Sequence, residues 1–253
     1  MPADKGTLIM LDIIHEYWLL FLIGAYPNGP LGGVVATLLL SITGIGLALP
    51  LSVLLALAQL SGYRVLRYPA CAVRYVLRSI PLVMLIFATY FIVPMILGRP
   101  VAGFTTMAVT LVIFQATYLA EIVRAGIEAL PRGQVEAAVA LGMGYWTRTC
   151  RIVLPQALKN MLPSLVGQFV TTIKDTSLGY VIGVNELTYA ANQVNSSVLT
   201  QPFGVFLVLS LVYFAICFTL TQSVRVLEAR IERRNSRTFP LPRVSTSNEP
   251  VAQ

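Results

Sequence analysis

Five long apolar runs, over about 34–60, 76–97, 104–122, 161–184 and 203–226, dominate the sequence and leave few folds open to it. A spanning helix needs about 20 mostly apolar residues, because lipid offers the backbone no hydrogen-bond partner and each N–H and C=O must be satisfied within the segment. All five runs meet that length. Across the 253 residues 56% are hydrophobic and 11% are charged, far from the balance of an ordinary water-soluble domain. The sequence therefore predicts an all-α integral membrane protein with about five transmembrane helices.

A sixth segment, 8–26, is apolar in part but holds Asp12, His15 and Glu16 close together. A charge near the centre of a spanning helix costs about 2.5–3.5 kcal/mol on insertion scales, so this segment is expected to lie in the membrane interface. It makes a poor secretory leader. Lys5 is the only basic residue ahead of it, balanced by Asp4, and Tyr26-Pro27-Asn28 does not suit cleavage. The expected organisation is an N-terminal interfacial segment over 1–30, a transmembrane domain over 31–234 and a disordered cytoplasmic tail over 235–253, where Ser, Thr, Pro and Asn replace large apolar side chains.

The net charge of +7 is distributed by connection. Arg64, Arg67, Arg74 and Arg78 lie around the first-to-second connection; Arg124, Arg132, Arg148, Arg151 and Lys159 lie between the third and fourth runs. Arg225, Arg230, Arg233, Arg234, Arg237 and Arg243 follow the fifth, whereas the intervening connections hold only Arg99 and the acidic Glu186. By the positive-inside rule this alternation puts the N-terminus outside and the C-terminus in the cytoplasm. The basic excess is thus a topology signal and not a nucleic-acid footprint. Cys71, Cys150 and Cys217 show no paired spacing, which indicates neither a disulfide framework nor a metal site.

Small and hydroxylated residues concentrate in the first run: Thr37, Ser41, Thr43, Gly44, Gly46, Pro50 and Ser52, a composition that lets helices approach closely. Pro81 is expected to open the second span, Pro94 to kink or end it, and Gly98-Arg99-Pro100 to form a short external turn. Glu121 falls near the inner end of the third run, where Arg124 or another basic residue would satisfy it. Lys174-Asp175-Thr176-Ser177 falls deep in the fourth. Ionisable residues at such depth face a protein interior or a water-filled cavity, so these four are candidates for a permeation path or for a structural ion pair.

The most patterned segment lies between the third and fourth runs. It reads Glu136-Ala137-Ala138, three residues, Gly142, nine residues, Ile152, one residue, then Leu154-Pro155. Glutamate and alanines favour a short helix, Gly142 permits a sharp turn and close approach by another chain, and Pro155 is expected to restart the chain toward the membrane. This pattern resembles the loop of the permease subunits of ATP-binding-cassette importers. Further stretches are similar to the polar amino acid branch: Arg78-Ser79-Ile80-Pro81-Leu82-Val83-Met84, Ala120-Glu121-Ile122-Val123-Arg124-Ala125-Gly126-Ile127, Gly133-Gln134 and Lys174-Asp175-Thr176-Ser177-Leu178. The run ending in Tyr90-Phe91-Ile92-Val93-Pro94 resembles glutamate/aspartate permeases.

The resemblance implies a type I importer permease fold in a bacterial inner membrane, with Gly133, Glu136, Ala137, Ala138, Gly142, Ile152, Leu154 and Pro155 in a cytoplasmic coupling region. It implies an ATPase dimer as partner, a second permease subunit, identical or homologous, an extracytoplasmic solute-binding protein and a polar amino acid substrate. Arg78, Glu121, Lys174, Asp175, Thr176 and Ser177 become candidates for the substrate path. No G-x-x-x-x-G-K-[ST] phosphate loop occurs, so ATP and Mg would be bound by the partner ATPase and no cofactor by this chain. An intramembrane enzyme is disfavoured because the only histidine, His15, is remote from any serine in a plausible motif. A secondary transporter using Lys174, Asp175 and Glu121 as coupling groups is the alternative, against which stands the lack of an internal repeat.

Overall fold

The computed structural model describes residues 3–199 and 201–238, with side chains described for 13–199 and 201–226. Helices follow one another as α1 (Ala3–Ile23), α2 (Gly33–Leu60), α3 (Arg64–Ser79), α4 (Leu82–Leu97), α5 (Gly103–Glu128), α6 (Arg132–Ala140), α7 (Tyr145–Arg148), α8 (Leu154–Asp175), α9 (Leu187–Val198) and α10 (Pro202–Thr238). A π-helical turn, Thr149–Val153, joins α7 to α8, and a 3-10 segment, Thr176–Ile182, extends α8. The protein is an all-α integral membrane protein. Most of the tail predicted to be disordered, 239–253, lies outside the described residues.

Helices α2 and α5 form the principal packing pair of the bundle. The buried side of α2 is Ala36, Thr37, Leu40, Ser41, Gly44, Ala48, Ser52 and Ala56, recurring every three or four residues, as one face of a helix requires. Because these side chains are small, the backbones come close: a methyl group placed on Gly44 would sit 3.3 Å from Leu111 Cβ. Ser41 donates to the Thr37 carbonyl at 2.8 Å and Ser52 to the Leu49 carbonyl at 2.7 Å, so burial leaves neither hydroxyl unsatisfied. Gly46 and Pro50, counted with this set in the sequence, face outward. Around this pair, Met107, Leu111 and Phe114 of α5 meet Leu82 and Ile86 of α4 in one core, while Ile13 and Phe21 of α1 meet α9 and α10 in another.

Among the described residues three helical segments, Gly33–Gln59, Gly103–Glu128 and Pro202–Val226, are long and apolar enough to cross a membrane, and α3 with α4 makes a fourth if the bent pair counts as one. The predicted second span differs in its start. Pro81 disfavours a helical conformation at Ile80, whose ψ is 128°, and the chain turns by 104° between α3 and α4. Only α4 therefore runs along the bundle. Pro94 does not end that helix, which continues to Leu97 and stops at Gly98 in a left-handed conformation. The fourth predicted span becomes α8 and its 3-10 extension, which is too polar to rank with the apolar three.

Connections sort into two ends. The end of α2, one face of α3 at Arg67, Cys71 and Arg74, and the end of α5 share a groove, and Tyr145 and Trp146 of α7 meet the α2–α3 connection. Pro30, Ala102 and Asn185 share a groove with one another that includes none of those elements. The basic residues of α3 and of the end of α5 thus gather at one end of the bundle.

Candidate coupling loop and permeation face

Helix α6 is short and almost wholly exposed, with Ala138, 2% exposed, as its buried side chain. It leans on α7 and the π-helical turn. Its end is a Schellman arrangement: the Met143 N–H donates to the Ala138 carbonyl at 3.1 Å and the Gly142 N–H to the Val139 carbonyl at 2.9 Å. Gly142 takes φ +73°, a left-handed conformation that glycine adopts without penalty. A side chain there would meet nothing of this chain within 4 Å, so the space beside it is open to another molecule.

Gly133 opens the helix in equally open space, and Glu136 and Ala137 point to solvent. Beyond the turn, Leu141 is 80% and Trp146 63% exposed, beside the exposed Val139 and Tyr145. These apolar side chains stand exposed on an otherwise polar loop. Ile152 and Leu154 are half-buried beneath it.

Pro155 stands in the first turn of α8, the helix that carries the chain back into the bundle, as expected, but helical structure already resumes at Tyr145 and runs into α8 through the π-helical turn. A proline ring collides with the carbonyl four residues back and supplies no N–H. The helix accommodates it by widening: the Leu154 N–H donates to the Thr149 carbonyl, five residues earlier.

On α8, Asn160, Ser164, Gly167, Thr171 and Lys174 are exposed at successive spacings of three or four residues. They make a polar stripe on a helix that otherwise packs into an apolar bundle, and a side chain at Gly167 would touch nothing within 4 Å. Lipid would penalise such a stripe, whereas a second copy facing a water-filled path would not. The spacing was open to view in the sequence, but only the charged end of the stripe drew notice.

Lys174 and Asp175 do not pair. Lys174 is exposed on the stripe, whereas Asp175 accepts from Gln115 Nε2 at 3.0 Å, and Gln115 Oε1 accepts from Gln168 Nε2 at 2.5 Å. Thr176 is buried and donates to the Ile173 carbonyl at 2.6 Å; the Ser177 hydroxyl donates to the Lys174 carbonyl at 2.7 Å. Glu121 belongs to a different group, bound by Arg74 of α3 and by Arg124, which also reaches Glu128 at 2.6 Å. Arg78 lies 4.7 Å above the Tyr118 ring. Of the six candidate path residues, Lys174 lies on the polar stripe with Asp175 and its amides behind it, Glu121 belongs to the ion cluster, Arg78 stacks on Tyr118, and Thr176 and Ser177 bond back to their own helix.

Glu186 was read from the sequence only as a charge in an external connection. It is fully buried and caps α9, accepting from the Thr188 and Tyr189 N–H groups at 2.8 and 2.9 Å and from the Tyr213 hydroxyl at 3.0 Å. Burial pushes its carboxyl up to about 7, against the pull of those donors. Leu187, next along, donates its N–H to Thr37 of α2 at 3.1 Å, tying α9 to the bundle core.

Residues 48–233 match the family described as binding-protein-dependent transport system inner membrane component. The chain belongs to this family. It is 35% identical over 208 residues to the glutamate/aspartate import permease protein GltK of Escherichia coli O6:H1, covering 79% of this chain and 92% of GltK. It is 34% identical over 203 residues to the inner membrane amino-acid ABC transporter permease protein YhdY of Escherichia coli K12. That match covers 79% of this chain but only 55% of YhdY. Among solved structures, an amino acid ABC transporter crystallised with histidines superposes with a TM-score of 0.75 at 29% identity, covering 87% of this chain and 98% of that one. Family and superposition agree on a type I importer permease fold, a transport component and not an enzyme.

Proposed function

We propose that this chain is the membrane-spanning permease subunit of an ATP-driven importer of polar amino acids, and that α6 with α7 is the part its ATPase grips. The exposed apolar surface around Val139, Leu141 and Trp146, beside a glycine turn with open space, is the observation that supports this reading most strongly. It lies at the arginine-rich end, which the positive-inside rule assigns to the cytoplasm. The N-terminus is then outside, the C-terminus inside, and the cell membrane is a bacterial inner membrane. The segment 1–30 begins with an interfacial helix, consistent with the exposed His15 and Glu16 on α1.

ATP and Mg belong to an ATPase dimer, and a solute-binding protein delivers substrate at the opposite end. A second permease subunit, identical or homologous, covers the polar stripe of α8, so that Asn160, Ser164, Thr171 and Lys174 line the path between two subunits. Closure of the ATPase on ATP draws two docked helices together and rotates the spans joined to them through the continuous helix from α7 into α8. Inverting a conformational equilibrium from 1:99 to 99:1 takes about 5.5 kcal/mol of differential binding, which requires that the seat of α6 remain packed. Glutamate and aspartate are the first substrates to test, given the similarity to GltK.

Uptake into vesicles carrying the permease, ATPase and binding protein decides the energy source. The reading expects vanadate to abolish uptake and an uncoupler to leave it unchanged; the reverse pattern would reject the ATP-driven mechanism.

A further inference from the structure

A polar groove of 360 Å³ opens at the arginine-rich end, between Gln59 at the end of α2, Arg67, Cys71 and Arg74 on α3, and Arg124 and Glu128 on α5. Gln59 is only 5% exposed, yet neither its amide nitrogen nor its amide oxygen has a hydrogen-bond partner. Leaving a buried amide unmatched is costly, and this one borders the groove. Its cations are unequally used: Arg74 and Arg124 are held by Glu121 and Glu128, while Arg67 is in no ion pair among the described residues. Both polar atoms of the Gln59 amide are sealed from solvent, so an occupant that offers an anionic oxygen to Arg67 reaches the amide once the Gln59 side chain turns toward the groove, and there supplies both an acceptor and a donor.

Placement favours a lipid over a soluble anion. Helix α3 is turned 104° from α4 and so lies across the bundle end. Alongside its arginines it exposes Val65, Leu66, Tyr68, Tyr75 and Val76, side chains suited to the headgroup boundary of a bilayer. Basic pockets between helices on the cytoplasmic side suit anionic headgroups. We propose that this groove holds the headgroup of an anionic phospholipid bearing a free hydroxyl, its phosphate against Arg67 and the Gln59 Nε2 and its hydroxyl donating to the Gln59 Oε1. The leaflet assignment rests on the proposed topology; the headgroup chemistry does not. Such a lipid braces α2, α3 and α5 where they meet.

Native mass spectrometry of the full chain with phosphatidylglycerol, phosphatidylethanolamine or phosphatidylcholine tests the site. One phosphatidylglycerol should bind ahead of the other two lipids. Arg67→Gln should weaken it about fivefold, the value of one basic residue near an anionic surface. Arg64→Gln, on the same helix but outside the groove, should change it less than about twofold, since remote surface charge is screened. Gln59→Leu should weaken it as Arg67→Gln does, and the isosteric Gln59→Glu, which repels phosphate while keeping the side-chain volume, provides the same test if the leucine variant fails to fold. Equal effects at Arg64 and Arg67, no effect at Gln59, or displacement of the lipid by millimolar inorganic phosphate or glutamate would each overturn the proposal. An impermeant maleimide on Cys71 in a Cys150→Ala, Cys217→Ala background separates the two readings. Labelling from the cytoplasmic side without headgroup selectivity overturns the groove alone, and selectivity with labelling from outside overturns the topology alone.

Discussion

Replacing Gly142 isolates the mechanical part of the loop. Its φ of +73° costs an ordinary L-residue about 1–2 kcal/mol, and a strain of that size changes the population of the closed turn about 5- to 30-fold. Beyond its own chain neighbours an added Cβ meets no atom within 4 Å, so the cost comes from the backbone conformation and not from a collision at the first side-chain atom. Gly142→Leu should therefore insert and fold normally but lose most ATP-dependent uptake in proteoliposomes containing the ATPase and binding protein. Gly142→Asn separates backbone from contact, because asparagine tolerates the left-handed region. If only the turn matters, the asparagine variant keeps most activity; if the ATPase approaches the turn closely, it loses activity too. Wild-type uptake by the leucine variant would refute the reasoning, since neither strain nor bulk would then matter.

Gly167→Leu adds bulk to the polar stripe of α8 at a position where a Cβ meets nothing within 4 Å, and should block uptake while leaving thermal stability in detergent unchanged; unaltered uptake would move the path elsewhere. Glu186 has a folded-state pKa of about 7, above its unfolded value, so its native state binds the extra proton and its contribution to stability is present at low pH and lost as pH rises toward 7. Thermal unfolding should thus occur at higher temperature at pH 5.5 than at pH 7.5, and Glu186→Gln should flatten that difference. Glu121→Gln leaves Arg74 and Arg124 without their shared carboxylate, at a cost of about 1 kcal/mol after screening by solvent, read as a lowered melting temperature that high salt brings closer to wild type.

Local signals survived the passage from sequence to structure; pairings between distant residues did not. Three of the apolar runs and the small-residue face of α2 are set by neighbours within a turn or two, and each was open to view, whereas the bend at Ile80-Pro81 falls inside the run read as one span. The glycine turn at Gly142 was legible for the same reason: a left-handed cap needs only its own helix. Glu186 was not, because its burial depends on Tyr213, 27 positions away, and on the docking of α9 by Leu187 to Thr37, 150 positions away. Asp175 likewise finds Gln115 across 60 positions, so the sequence could offer it only as a path residue or half of an ion pair. Pro155 opens α8 as read, but the widened turn at Thr149 ahead of it was not legible, because a proline does not show whether helix already precedes it.

The central claim is that the α6–α7 surface seats an ATPase, and site-specific cross-linking tests it most directly. Ala138 is buried against its own chain, so a photoreactive residue belongs at the exposed Ala137 or Leu141. With the three-component importer expressed in cells, illumination should join the permease to its ATP-binding subunit from both positions, and not from the outer turn at Arg99. Failure to capture that subunit from either position, in cells with normal uptake, would contradict the account.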